Sequence, residues 1–212
     1  MWLGKFVDLE EDLKELRNKR DRGIFKRIKL SKLTPLEFTI IEIILNFGGL
    51  SGYDLIQKLD KHFAGTWVAQ SGTIYPILTK LEKGGFLQSN MIKTPIGPVR
   101  KVYFLSEAGE TILKLKVSNN FNDQLKFLEN YLIELSSIYI RSNPRSERDV
   151  QLKLVEETLK NSFQNIMEWI PSLLEYKMKC GNCSSEISRK ALYCPYCGFG
   201  LSSNREKENK IS

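Results

Sequence analysis

The stretch from Thr34 to Leu105 constrains this chain more than any other, because helix starts, glycine stops and a proline-bounded turn follow one another closely there. Thr34-Pro35-Leu36-Glu37 is a helix-start signature: a capping hydroxyl, a proline at the first helical position and a carboxylate suited to the positive helix end. Gly48-Gly49 should stop that helix. A second start follows at Ser51, and Leu55, Ile56 and Leu59 give it one buried stripe before Ala64-Gly65 breaks it. A third helix is expected to begin within Ser71-Gly72-Thr73 and to end at Gly84-Gly85. Along it, Ile74, Ile77, Leu78 and Leu81 share a core side, whereas Gly72, Tyr75, Pro76, Thr79, Lys80 and Lys83 share the outer side. With Thr73 as the cap, Pro76 would fall in the first turn, where a missing N–H costs nothing. Short helices joined in this way, the last two by a small-residue loop, form a helix-turn-helix unit. Two strand-like segments, 86–94 and 99–105, follow it, joined by Pro95-Ile96-Gly97-Pro98, and predict a projecting hairpin, or wing.

Beyond the hairpin the period changes. Phe121, Leu125, Leu128, Leu132, Leu135 and Tyr139 recur at alternating spacings of four and three, with Ile112 and Leu115 upstream, as in the seam of a long helix that needs a partner. Ser142-Asn143-Pro144 breaks this helix. A second seam runs through Leu152, Val155, Leu159, Phe163, Ile166 and Ile170, and Pro171 is expected to end or kink it. Two such seams exceed what one small core can absorb, so pairing between two copies of the chain is expected, with packing onto the winged segment as the alternative. Near the N-terminus, Phe6, Leu9, Leu13 and Leu16 mark an amphipathic helix, and a basic stretch from Arg17 to Lys32 follows it. This extension either packs on the core of a dimer or, in its basic part, touches nucleic acid.

All four cysteines lie near the C-terminus, in Cys180-Gly181-Asn182-Cys183 and Cys194-Pro195-Tyr196-Cys197-Gly198. Two Cys-x-x-Cys knuckles on neighbouring loops supply the four thiolates that tetrahedral zinc requires, and four protein ligands leave no open position, so a structural Zn2+ is expected. Gly198 tolerates the positive φ that such a turn needs; Ser184 holds the equivalent place in the first knuckle. Disulfides fit poorly with a chain read as intracellular, and a redox site would need one pair beside a strand–helix unit. The role of the small module stays open between contact with DNA through Arg189 and Lys190, docking on protein through Tyr193, Tyr196 and Phe199, and capping of the long helices.

Composition narrows the function class. Thirty-two Lys and Arg against twenty-five Asp and Glu leave a formal charge of +7, which favours a polyanionic partner such as double-stranded DNA. The richest apolar stretch, 38–47, is interrupted by Glu42 and is too short to span a bilayer, so no membrane association is expected. Residues 1–11 lack the basic start and apolar core of a secretory signal, and the expected location is cytoplasmic. The one histidine, His62, sits at the end of a presumed helix beside Phe63, and the sequence carries no glycine-rich phosphate cradle, so an enzyme is not expected.

Gly52-Tyr53-Asp54-Leu55, Trp67, the run Ser71-Gly72-Thr73-Ile74-Tyr75-Pro76 through Leu87, and Arg100-Lys101-Val102-Tyr103-Phe104-Leu105-Ser106-Glu107-Ala108-Gly109 together resemble the PadR family of transcriptional regulators. The similarity runs residue by residue over about 34–110 and by helix pattern alone to about 178. It implies a mainly α fold: a winged helix-turn-helix with long C-terminal dimerisation helices, here with a zinc ribbon appended. It also implies a homodimeric repressor, responsive to a signal or an as yet unknown small-molecule effector, that binds an inverted repeat with its third helix in the major groove. By position, Ser71, Thr73, Tyr75, Pro76 and Lys80 would face DNA, and Lys93, Arg100 and Lys101 would serve the wing; Cys180, Cys183, Cys194 and Cys197 would hold the metal. Tyr75 has packing, and Arg100 a carboxylate partner across the hairpin, as the structural alternative. The expected divisions are an N-terminal helix and basic linker over 1–33, the winged domain over 34–105, the dimerisation helices over 106–179, the ribbon over 180–201 and a disordered tail over 202–212. The extension and the cysteine module depart from the common family pattern. The rival reading is an architectural nucleic-acid-binding or partner-docking protein without strong sequence preference.

Overall fold

The computed structural model describes residues 7–18, 22–93, 98–175, 177–188 and 193–201. The expected tail, most of the Pro95–Pro98 turn, Phe6, Arg189 and Lys190 lie outside the described residues. Two compact units result: Met1–Ser118 together with Lys177–Ser212, and Asn119–Tyr176.

In the first unit, the capping residues set the helices. α3 (Pro35–Phe47) starts on a full capping box: the Glu37 amide donates to Thr34 Oγ1 at 3.2 Å, and the Thr34 amide donates to Glu37 Oε2 at 2.9 Å. It stops at Gly48 in the left-handed conformation. α4 (Gly52–His62) is capped by Ser51, whose hydroxyl accepts from the Asp54 amide. α5 (Ser71–Lys83) is capped at Gln70, three residues before Thr73, so Pro76 lies inside the helix. Thr73 is therefore not the cap, because its own amide already bonds back to the Gln70 carbonyl at 3.0 Å. Pro76 leaves the exposed Gly72 carbonyl without its helical donor.

The hairpin of β4 (Leu87–Ile92) and β5 (Arg100–Leu105) joins β3 (Leu50–Ser51) in an antiparallel sheet of order β3-β5-β4. Its register pairs Leu87 with Leu105 and Ile92 with Arg100. Residues directly opposite in such a ladder share a face. One face therefore carries Leu87, Tyr103 and Leu105 toward the helices, and the other carries Ile92, Val102 and Phe104 away from them. Phe38, Ile74, Leu78, Leu81 and Phe86, all fully buried, centre the helical core.

The N-terminal extension belongs to that same core. β1 (Val7–Asp8) pairs with β2 (Lys32–Leu33), and between them α1 (Glu10–Asn18) and α2 (Arg22–Phe25) bury Leu9, Leu13, Leu16, Phe25, Ile28 and Leu33. The long helix α6 (Glu107–Arg141) enters the unit through Ala108, Ile112 and Leu113, and its Lys116 pairs with Asp12 at 3.1 Å.

In the second unit, the rest of α6 and α7 (Arg148–Glu175) are separated by residues 142–147, which contain the expected break at 142–144. Arg148 donates to the carbonyls of Asn143 and Arg141 there. Pro171 does not end α7, which continues four residues past it to Glu175. The seam residues Phe121, Leu125, Leu135, Leu152, Phe163 and Ile170 are exposed in the single chain. No described helix is long and apolar enough to cross a membrane.

Candidate nucleic-acid interface and metal centre

The outer side of α5 is where the folded chain collects its predicted contacts. Ser71, Thr73, Tyr75, Pro76 and Lys80 are all exposed, while Ile74, Leu78 and Leu81 opposite them are fully buried. Tyr75 lies close over Gly52: a Cβ on that glycine would meet the ring at 2.5 Å. Gly52 thus makes room for the aromatic ring, which keeps 44% of its surface exposed. Lys80 reaches across to Glu37 at 2.6 Å, using the carboxylate oxygen that the capping box leaves over. A groove of about 690 Å3 runs along this side of α5, between Tyr75, Pro76, Thr79, Lys80 and Lys83 on the helix and Lys29 from the N-terminal extension. The extension is pinned there by the Lys29 amide, which donates to the Gly84 carbonyl at 3.0 Å. Lys29 is a member of this surface that the helix pattern did not single out; its only sequence signal is the basic stretch to which it belongs.

The wing residues part company. Adjacent residues on a strand point to opposite faces, so Arg100 and Lys101 cannot both serve one side of the hairpin. Arg100 lies 3.8 Å from the Asp54 carboxylate at the start of α4, so its partner is on a helix and not across the hairpin. Lys101 pairs with Glu82 at 2.9 Å. Burial raises the Glu82 carboxyl, but hydrogen bonds from Lys101 and Ser89 outweigh it and hold the group below its usual range. Lys93, just past the end of β4, is exposed.

At the C-terminal end of the unit, β6 (Lys177–Lys179) and β7 (Glu186–Ser188) form a small hairpin behind the first cysteine knuckle. The two knuckles repeat one another. In each, the first cysteine's carbonyl accepts from the amide four residues on, Ser184 at 2.9 Å and Gly198 at 2.8 Å, and each of these two residues has a positive φ, 59° and 78°. Serine therefore takes up the left-handed turn that glycine fills in the second knuckle. Glycine is needed at 198 for a second reason: a Cβ there would collide with the Lys93 carbonyl.

The four sulfurs lie within 4.8 Å of one another, with Cys180 to Cys197 at 3.7 Å and Cys183 to Cys194 at 3.6 Å. A disulfide would need about 2.05 Å, whereas thiolates at about 2.3 Å around a tetrahedral zinc stand roughly 3.8 Å apart. The donor set fits a metal. Hydrogen bonds from the Ser185 side chain and backbone draw the Cys183 thiol down to about 6, and burial pushes Cys194 up to about 12. A metal ion held by the four sulfurs would favour their thiolate forms.

The ribbon does not stand apart from the wing. The Tyr196 ring stacks on Phe104 at 4.9 Å between centroids, and the Tyr193 hydroxyl donates to Asp54 Oδ2 at 3.1 Å. Pro195 and Phe104 both crowd Gly49. Of the three aromatic residues named for docking on protein, Tyr196 meets the chain's own sheet and Tyr193 the start of α4, while Phe199 is exposed. A signal for the contact with the sheet existed in Val102-Tyr103-Phe104-Leu105: apolar residues without alternation mean a strand covered on both faces.

A helix-turn-helix closed by an antiparallel wing, with a basic groove along its third helix, defines a winged-helix protein of the nucleic-acid-binding kind. Residues 40–115 match the family described as "Transcriptional regulator PadR-like family", and the chain carries a PadR-like domain of that transcriptional-regulator family. No curated protein matches the chain. Among solved structures, a transcriptional regulator from Streptococcus is 32% identical, with 45% of this chain and 90% of that one covered and a TM-score of 0.37. A PadR-like transcription factor from Bacteroides fragilis is 29% identical over 44% of this chain and 88% of that one, with a TM-score of 0.35. Bacillus subtilis PadR, solved in complex with operator DNA, is 23% identical over 67% of this chain and 98% of that one, also with a TM-score of 0.35.

Proposed function

We propose that this chain is a sequence-specific DNA-binding regulator of transcription, acting in the cytoplasm as a repressor, that binds an inverted repeat as a homodimer. The observation that carries this reading is the outer side of α5, where exposed Ser71, Thr73, Tyr75, Pro76 and Lys80 stand opposite a fully buried stripe. Small residues and hydroxyls at the helix start suit base edges in the major groove, and lysines toward its end suit phosphates. Lys29 and Lys83 extend that basic surface, and the exposed Lys93 and Lys101 would serve DNA from the wing. Lys80 and Lys101 each exchange an intrachain carboxylate for phosphate on binding, which lowers their net gain.

Homodimerisation is supported by the exposed seams of α6 and α7, which present large apolar side chains without a core of their own. The same chain would then carry two recognition helices related by a two-fold axis, as an inverted repeat requires. In the ribbon, Cys180, Cys183, Cys194 and Cys197 would hold a structural zinc ion. A bound zinc supplies cross-linking of two loops, and no chemistry beyond that follows from a fully occupied tetrahedral site.

The test is competition binding. A palindromic element near the chain's own promoter should be bound at least about a thousandfold more tightly than bulk DNA at physiological salt. Equal affinities would reject the regulator and favour an architectural protein.

A further inference from the structure

The outer face of the winged sheet carries an apolar cluster separate from the helical core: Ile92, Val102 and Phe104 are 5%, 0% and 4% exposed. The second knuckle of the ribbon is seated against it. Tyr196 stacks on Phe104, Gly198 packs against Ile92 and the Lys93 backbone, and Tyr193 bonds to the same Asp54 that faces Arg100. The ribbon itself is too small to hold together by burial. Among the described residues its own core is Ile187, Leu201 and two of the four cysteines, with Met178 against them. A module of this size folds on its metal, so the free energy of metal binding is its folding free energy.

These two facts join. We propose that the four-sulfur site is the signal input of this protein: a thiophilic divalent cation there keeps the ribbon folded and seated, and the seated ribbon holds β4, β5 and Arg100 in place. Loss of the cation unfolds the second knuckle, uncovers Ile92, Val102 and Phe104, and loosens the hairpin. The DNA-binding output of this switch rests on the reading given above; the coupling of ribbon to sheet does not. A hairpin that must be ordered at the moment of binding costs affinity.

The experiment is amide hydrogen exchange on the full-length chain as purified with zinc, after chelation, and after zinc is restored. Chelation is expected to speed exchange in β4 and β5 at least about tenfold, to leave the α5 amides of Leu78 and Leu81 protected, and to be reversed by zinc. Tyr196→Ala retains all four sulfurs and should keep its zinc, yet speed exchange in β5. Exchange in β4 and β5 that stays within about twofold on chelation, or in Tyr196→Ala, overturns the coupling. Chelation that also exposes the α5 amides leaves the decision to Tyr196→Ala, in which the metal stays. Operator affinity should fall at least about tenfold in the chelated protein; an unchanged affinity with faster exchange overturns the signalling role. A chain that binds no DNA in either state while its sheet responds to zinc would reject the regulator reading and support the clamp.

Discussion

The winged head and the helical arm both carry helices with apolar stripes, and these stripes meet opposite fates in the single chain. In the head, Ile74, Leu78 and Leu81 are fully buried, and even the short extension before it contributes Leu9, Leu13 and Leu33 to one core. In the arm, Phe121 is 61% exposed, and no residue of α7 whose burial is described, 148–171, is buried. Apolar periodicity alone therefore says that a face will be covered, not by what. In the head the chain supplies the cover itself; in the arm the seam residues stay exposed in the single chain, and on the reading proposed above a second copy covers them.

The largest expected effect breaks this contrast at the arm. Leu128→Glu with Leu135→Glu places charges in a seam that must be desolvated in a dimer. The dissociation constant should rise at least about a hundredfold, with the mass seen in sedimentation falling to that of one chain. The melting of the head should stay within a few degrees. If mass is unchanged, the seam is not the dimer interface and the contrast fails. Next comes Phe38→Ala in the head, which should cost about 3–5 kcal/mol in denaturant unfolding while leaving the dimer constant of the surviving folded protein unaltered.

Two smaller effects sharpen the head alone. Thr34→Ala removes half of the capping box and should lower stability by about 1 kcal/mol. A larger loss would mean that Glu37, only 3% exposed and bonded to both Thr34 and Lys80, depends on the box for its position. Lys101→Ala removes an exposed ion pair with Glu82 and should change stability by less than about 1 kcal/mol, while reducing the salt slope of DNA binding by about one unit. A salt slope that does not move would take Lys101 off the interface.

Much of the fold was legible beforehand, for a local reason. The starts at Thr34 and Ser51, the stop at Gly48 and the break at 142–144 all depend on hydrogen bonds between residues three or four apart. The knuckles were legible for the same reason, since each closes on an amide four residues away. Where local rules competed, the bounds stayed open: α5 starts at Ser71, within the expected span but capped at Gln70 and not at Thr73, and Pro171, expected to end or kink α7, does not end it. The α5 surface was read correctly as exposed, but Lys29 joined it from a segment more than forty residues earlier.

By itself, the sequence determined the helices and their apolar stripes, the hairpin and its register-setting strands, and the two Cys-x-x-Cys loops, because caps, periodicity and turn chemistry act over a few bonds. Only the tertiary structure decided that the extension completes the head's core, that Arg100 faces Asp54, and that the ribbon sits on Phe104. The Tyr193 to Asp54 bond spans 139 residues of sequence, and no short-range rule reports whether two surfaces that far apart along the chain match in shape and charge.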